Sequence, residues 1–334
     1  LIDIKKLKYK VVLLSSDGQP TDLTPVLEGL DWEENDGELA AKATVELTNV
    51  KLAGTYVSTM AKLGAILFIY ANATGQDAEV FRGKIYNWAY KKSDKKNLTL
   101  TVYDALYPLQ KSRDNRYYKA GSTAKSMIID IFKSWSVPIG SIEGPDIAIG
   151  KKVFRSAYLS DMTLEILDDA KKKGGGKYIV KSRAGTVNVV KRGSNAEVYT
   201  FDEEQNAFAV GDQLSIENLV TRVKVIGERQ ATSDANPVVQ AVVDGKTDFG
   251  ILQELYQRGG DETIEAAKKA AGDIISERGK PERTITVQLP DIPFIRKGDK
   301  VKIRAATLDG FFFVKSIQHD ASKKTMAMEV EPYE

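Results

Sequence analysis

Two stretches near opposite ends of this chain pass through the same features in the same order, and this internal repeat limits the fold more than any other property of the sequence. The first has Leu63-Gly64, an apolar run over residues 65–68, Ile69, then Ala71 and Thr74. The second has Lys297-Gly298, residues 299–302, Ile303, then Ala305 and Thr307. Next come Phe81-Arg82-Gly83-Lys84-Ile85 and Phe312-Phe313-Val314-Lys315-Ser316-Ile317. Each run leads to a turn with paired lysines, Lys95-Lys96 or Lys323-Lys324. Each then returns on an alternating strand, Leu98-Thr99-Leu100-Thr101-Val102 or Met326-Ala327-Met328-Glu329-Val330. The match lies in the order of features rather than in residue identity. It predicts a mainly β fold with two related β-barrel-like modules flanking a different middle.

Composition along the chain divides it into three segments. Residues 1–108 read as strands, with residues 9–14, 39–47 and 65–70 as candidates and residues 81–91 and 97–104 as a hairpin across Ser93-Asp94-Lys95-Lys96. Residues 109–200 read as a small α+β insert. Ser122 sits where an N-cap belongs, ahead of Ala124, Met127, Ile128, Ile131 and Trp135 on one helical stripe. Trp135 is therefore expected in the core of the insert. Ser160 opens a second helix over residues 161–173, with Asp161 and Lys171, Lys172 and Lys173 suiting its dipole and Gly174 as its stop. A hairpin follows, residues 177–181 and 186–191. Residues 201–334 return to strands, with alternation over residues 219–226 and 284–289. Between them lie a short helix over residues 249–258 and a helix capped by Asp261 that carries Ile264, Ala267, Ala271, Ile274 and Ile275 up to Gly279 and Pro281. Asn236-Pro237 and Asp244-Gly245 mark turns around a short strand. Because the insert interrupts the first module, part of residues 201–230 is expected to complete it.

The residue types present exclude several chemistries. The chain has no cysteine, which removes disulfides, thiolate catalysis and cysteine-bound zinc. It also has no apolar run long enough to span a membrane. Its charged start, residues 1–10, has no apolar signal core and argues against export through a signal peptide. A net charge of +2 from dispersed lysines and arginines does not describe a sequence-specific nucleic-acid binder. The sole histidine, His319, has Asp320 beside it, but neighbours in a strand face opposite ways; it reads as a surface or turn residue. Asp168-Asp169 and Asp202, Glu203 and Glu204 match no calcium loop, so no metal or cofactor site is expected. Residues 119–126 lack the glycine spacing of a phosphate loop, and no G-x-S-x-G elbow occurs. Carboxylate pairs for glycoside cleavage stay open, because a sequence does not give their separation. Gly174-Gly175-Gly176 reads as a helix stop or a hinge. Phe311, Phe312 and Phe313 form either a strand buried on both faces or a subunit contact, and residues 91–96 either a solvated loop or a contact to a partner protein or a neighbouring subunit.

Two structural segments resemble a known family. Residues 214–227, Leu-Ser-Ile-Glu-Asn-Leu-Val-Thr-Arg-Val-Lys-Val-Ile-Gly, resemble the stretch after the middle domain of hub proteins of the XkdQ/YqbQ type. Residues 170–178 with 187–192 resemble that family's helix-and-hairpin unit, and the likeness extends over residues 1–330. The family is related to the late-control-D hubs of contractile phages. The resemblance implies a non-enzymatic homotrimer: the baseplate hub of a contractile phage tail, prophage or tail-like bacteriocin. It would start the tube, joining the sixfold tail tube to the threefold central spike alongside other baseplate proteins. It would be made in the bacterial cytoplasm and end in the released particle. The strands Leu98, Thr99, Leu100, Thr101, Val102 and Met326, Ala327, Met328, Glu329, Val330 are the expected ring wall, and Phe311, Phe312 and Phe313 an expected subunit interface. The rival expectations are a tail-associated cell-wall hydrolase and a receptor-binding tail-tip protein.

Overall fold

The computed structural model describes residues 4–15, 18–73, 75–92, 97–202, 209–227, 237–258 and 262–333. It separates into two compact units, residues 1–210 with 286–334, and residues 211–285. The first unit begins with β1 (Lys8–Leu14), β2 (Pro20–Asp22), β3 (Leu27–Glu34) and β4 (Lys42–Thr48). A small hairpin, β5 (Lys51–Leu52) and β6 (Thr55–Tyr56), and the one-turn α1 (Val57–Met60) lead into a meander of β7 (Ile66–Asn72), β8 (Asp77–Lys91) and β9 (Asn97–Tyr103). Alternation drives these strands together: Ala43, Val45 and Leu47 of β4 and Leu98, Leu100 and Val102 of β9 are buried, while Thr44, Thr99 and Thr101 face the other way.

The insert follows. It comprises α2 (Tyr107–Lys111), β10 (Arg113–Tyr118), α3 (Ala124–Ser134), β11 (Ile139–Ile142), β12 (Lys152–Tyr158), α4 (Leu159–Lys172), β13 (Tyr178–Arg183) and β14 (Thr186–Lys191). Met127, Ile131 and Phe132 of α3 share a core with Met162 and Ile166 of α4 and Val187 and Val189 of β14. The cap of α3 is Thr123, which accepts from the Ser126 amide at 3.2 Å; Ser122 instead donates to the Lys119 carbonyl. Trp135 is not in this core. The helix ends one residue before it and Ser136 turns at φ 52°, so the stripe stops short and the indole is 39% exposed. Helix α4 starts at Leu159, so Ser160 lies inside its first turn. Its end is a glycine stop, with Gly174 at φ 83° and the Gly175 amide donating back to the Ala170 carbonyl.

The remaining strands are β15 (Thr200–Asp202), β16 (Ala209–Ser215), β17 (Arg222–Ile226), β18 (Val239–Asp244) and β19 (Gln253–Gln257). After α5 (Ile264–Arg278) come β20 (Glu282–Pro290), β21 (Lys300–Ala305), β22 (Leu308–Asp320) and β23 (Thr325–Pro332). The second unit places β17 between antiparallel β18 and parallel β19, with Ala267 and Ala271 of α5 packed on Val223 and Val225. Residues 249–258, expected as a helix, hold β19 instead. Gly250 turns at φ 94°, and residues 253–257 then align one-for-one along β17. Alternation over residues 219–226 begins as a strand only at Arg222; Leu219 and Val220 are buried in the turn before it. The cap of α5 is Thr263, whose hydroxyl accepts from the Ala266 amide at 3.2 Å. Asp261, Glu203, Glu204 and the turn at residues 93–96 lie outside the described residues.

One large sheet carries the repeat, in the order β16-β20-β23-β22-β3-β4-β9-β8-β7-β1-β2, with β21 beside β22 and β15 beside β21. The strand beside β3 is thus β22, and Thr200–Asp202 runs along β21. The meanders β7-β8-β9 and β21-β22-β23 share their entry turn and the bulge in their long strand, although β7 and β8 slip once more, between Ile69 and Tyr70, where β21 and β22 pair without a shift. Gly64 and Gly298 turn at φ 83° and 82°, a left-handed conformation that favours glycine. The Gly64 amide donates to Ile85 and the Gly298 amide to Val314, each at 2.8 Å; Ile85 returns to Ala65 and Val314 to Asp299. Each meander then slips register by one residue: between Ile85 and Asn87 opposite β9, and between Val314 and Ser316 opposite β23. Beyond the bulge Trp88 faces Leu100 as Ile317 faces Met328, and Tyr90 faces Leu98 as His319 faces Met326. Leu98 to Val102 and Met326 to Val330 are therefore true counterparts. The aromatic and lysine runs are offset from their sequence match: Lys315 fills the bulge position of Tyr86, and Val314 that of Ile85.

Candidate assembly surface

The two predicted wall strands lie in one sheet with β4, β3 and β22 between them. Their Leu98, Leu100, Val102, Met326, Met328 and Val330 side chains point into the core. The opposite face is polar and continuous across the strands. Thr101 lies against Thr44 and Thr99 against Glu46; Thr44 lies against Asp31, and Asp31 against Asp320; Gln318 links Glu33 to Ala327. Carboxylates dominate this face. Lys42 pairs with Glu33 at 2.9 Å and Lys315 with Glu329 at 2.6 Å. Partial burial, with Glu33 and Asp320 nearby, lifts the Asp31 carboxyl above its usual range against the opposing Thr44 hydrogen bond. Such a face suits contact with water or a polar partner rather than with a hydrophobic layer.

The phenylalanine run divides. Phe312 and Phe313 are buried, but Phe311 is 46% exposed, with the Lys300 and Lys302 ammoniums each 5.5 Å from its ring. The strand is thus not buried on both faces. Phe313 packs on the Tyr333 ring and under the Arg192 guanidinium.

His319 is neither at the surface nor in a turn. It is wholly buried, stacked on Trp32 at 4.5 Å, because β3 comes alongside the end of β22. Its Nδ1 lies 2.7 Å from Asp291 Oδ1 and its Nε2 3.1 Å from the Ile295 carbonyl, while the Tyr9 hydroxyl donates to the other Asp291 oxygen. A carbonyl only accepts, so Nε2 is the donor in the contact with Ile295. Asp320 faces away and holds Lys323. The histidine thus has orienting partners but no access for a substrate. Nothing in its sequence neighbourhood signals them, since Tyr9, Trp32 and Asp291 are remote along the chain.

A second buried polar group joins the modules to the insert. Arg296 bonds to Glu34, Lys297 donates to the carbonyls of Asn35 and Glu38, and Lys181 pairs with Asp299 at 2.6 Å. Arg296 holds the Glu34 carboxyl below its usual range despite full burial. Asp104, fully buried near this group, is pushed up to about 7 chiefly by desolvation. A charged cleft beside it is lined by Arg82, Lys181, Arg183 and Asp299. Asp168 and Asp169 diverge, to Lys172 and Lys152. Among the described residues no three or more histidine, aspartate or glutamate side chains gather as a metal site, and no helix is long and apolar enough to cross a membrane.

Solved structures share this fold. A tail protein from Neisseria meningitidis superposes with a TM-score of 0.67 at 14% identity, over 97% of this chain and 96% of that one. The 43 kDa tail protein of a Shewanella oneidensis prophage gives 0.65 at 12%, over 96% and 97%. An Escherichia coli type VI secretion component, described as similar to phage T4 tail proteins, gives 0.53 at 8%, over 98% and 77%. No curated protein matches the chain. The YQBQ-like family model matches residues 30–331, nearly the whole chain, and the protein belongs to that family.

Proposed function

We propose that this chain is a structural, non-enzymatic baseplate hub of a contractile phage tail or tail-like particle, assembled as a homotrimer between tail tube and central spike. The observation that carries the reading is the repeat within a single sheet of one meander, with the same glycine entry turn and the same bulge in its long strand. Three chains with two equivalent modules each present six similar modules around one axis. Such a ring meets a sixfold tube on one side and a threefold spike on the other. Closed symmetry is the common outcome for soluble homo-oligomers. The polar face through Thr99, Thr101, Ala327 and Glu329 supports a wall lining a water-filled channel. The similar folds of the Neisseria and Shewanella tail proteins and of the secretion component support a place in a tail-like machine. Electron microscopy of the particle tests this. Three copies at the baseplate, with both modules at one radius, are expected; another copy number or unequal radii would overturn it. A zymogram on cell walls should show no clearing, and clearing would favour the hydrolase instead.

A further inference from the structure

Within one chain, the end of β22 is sandwiched. Residues 317–320 pair with β23 on one edge and with β3 on the other, His319 lying against Trp32. The equivalent end of β8, residues 88–91, follows the same bulge and pairs with β9 in the same way. Its other edge has no strand past Ile85 among the described residues. Trp88 and Tyr90 lie opposite Leu100 and Leu98, which are wholly buried, so both rings belong to the core-facing side. Yet Trp88 is 37% and Tyr90 41% exposed, where their counterparts Ile317 and His319 are at 2% and 0%. The module has an apolar overhang where its twin has a covering strand.

The identity of that strand follows from the repeat. In the first module the chain of neighbours is β9, β4, β3; in the second it is β23, β20, β16. The counterpart of β3 is therefore β16, which ends the sheet, with Leu214 71% exposed. Each chain thus contains one completed junction and the two unmatched halves of another. We infer that residues 88–91 pair with β16 of a second copy of this chain, repeating between subunits the β22·β3 junction made within one. An open strand edge is a template for such addition, and the overhanging rings would be covered by it. The contact is head to tail, so it repeats from copy to copy, into a ring where the rotation closes and into a filament where it does not. Closure at three copies rests on the proposed hub; the pairing itself does not.

The absence of native cysteine makes a clean test possible. Ala89→Cys would be combined in turn with cysteine at Val210, Gly211, Asp212, Gln213 and Leu214, the particle assembled under reducing conditions and then oxidised. At one position of the scan the chain should run as a closed three-copy species that reduction returns to monomer. Intact particles whose chain stays monomeric at every position would overturn the pairing and leave the hub standing. Closure at another copy number would keep the pairing and sink the threefold hub. In a second arm, the Trp88→Asp, Tyr90→Asp double variant should melt like the wild type but yield no particles; particles at wild-type yield would overturn the pairing.

Discussion

His319 has an acceptor at each ring nitrogen and no solvent-exposed surface, which makes it a structural cross-brace for the seam between β3 and β22. Read from the sequence as a turn residue, it would be dispensable. Buried, it is not. His319→Ala should cost about 3 kcal/mol, because it strands the Asp291 and Ile295 acceptors and unstacks Trp32. Denaturant melts would check this, and a loss under 1 kcal/mol would contradict the brace. Asp104 gives a pH signature. Its folded value near 7 exceeds its ordinary value of 3.8, so the native state holds a proton the unfolded chain has released. That stabilisation is complete below the unfolded value and is lost as pH rises through the folded one. Glu34, shifted downward, is already ionised across this window and adds no slope to it. Thermal stability should therefore fall between pH 5 and pH 8 (roughly the upper part of that titration), and Asp104→Asn should flatten the fall. Equal slopes in the two proteins would refute the assignment.

Among the elements, the twin glycines offer a matched comparison. Both sit at positive φ, so either Gly→Ala change should cost about 1 kcal/mol through the backbone alone. A Cβ on Gly64 meets nothing within 4 Å, whereas one on Gly298 would lie 2.6 Å from the Ile179 side chain of the insert. Gly298→Ala should therefore be clearly the more destabilising in paired melts, and equality would show that Ile179 yields freely. The sequence marked both glycines as matching points of the repeat, since each stands five residues before an isoleucine. It also signalled the burial of Leu98, Leu100 and Val102, since period-two alternation is a property of the strand itself. What it did not signal depends on distant partners. Residues 253–257 are a strand because β17 accepts them in parallel, and Gln-Glu-Leu-Tyr-Gln has no strong preference of its own. Trp135 kept the helical spacing, but the helix ended one residue too soon. The exposure of Trp88 and Tyr90 is anomalous only beside Ile317 and His319, a comparison that exists once the strands are paired.

At the scale of the whole molecule, the repeat is kept in main-chain bonds while the side chains on it have drifted. Met stands for Leu, Lys315 for Tyr86, a buried histidine for an exposed tyrosine. In the first module the step from β3 to β4 takes residues 35–41; in the second the equivalent step, from β16 to β20, contains nearly all of residues 211–285. A three-stranded sheet with its own helix thus occupies the place of a short turn. If this unit is autonomous, a chain with residues 217–280 replaced by a short Gly-Asn linker should keep the cooperative melt of the rest, while loss of that melt would show that the unit is needed for folding. The second module carries this passenger at a connection where the flanking strands need only its two ends to meet. Such a connection is a grafting port: its contents can grow or shrink at small entropic cost without redesign of the strands that bear it.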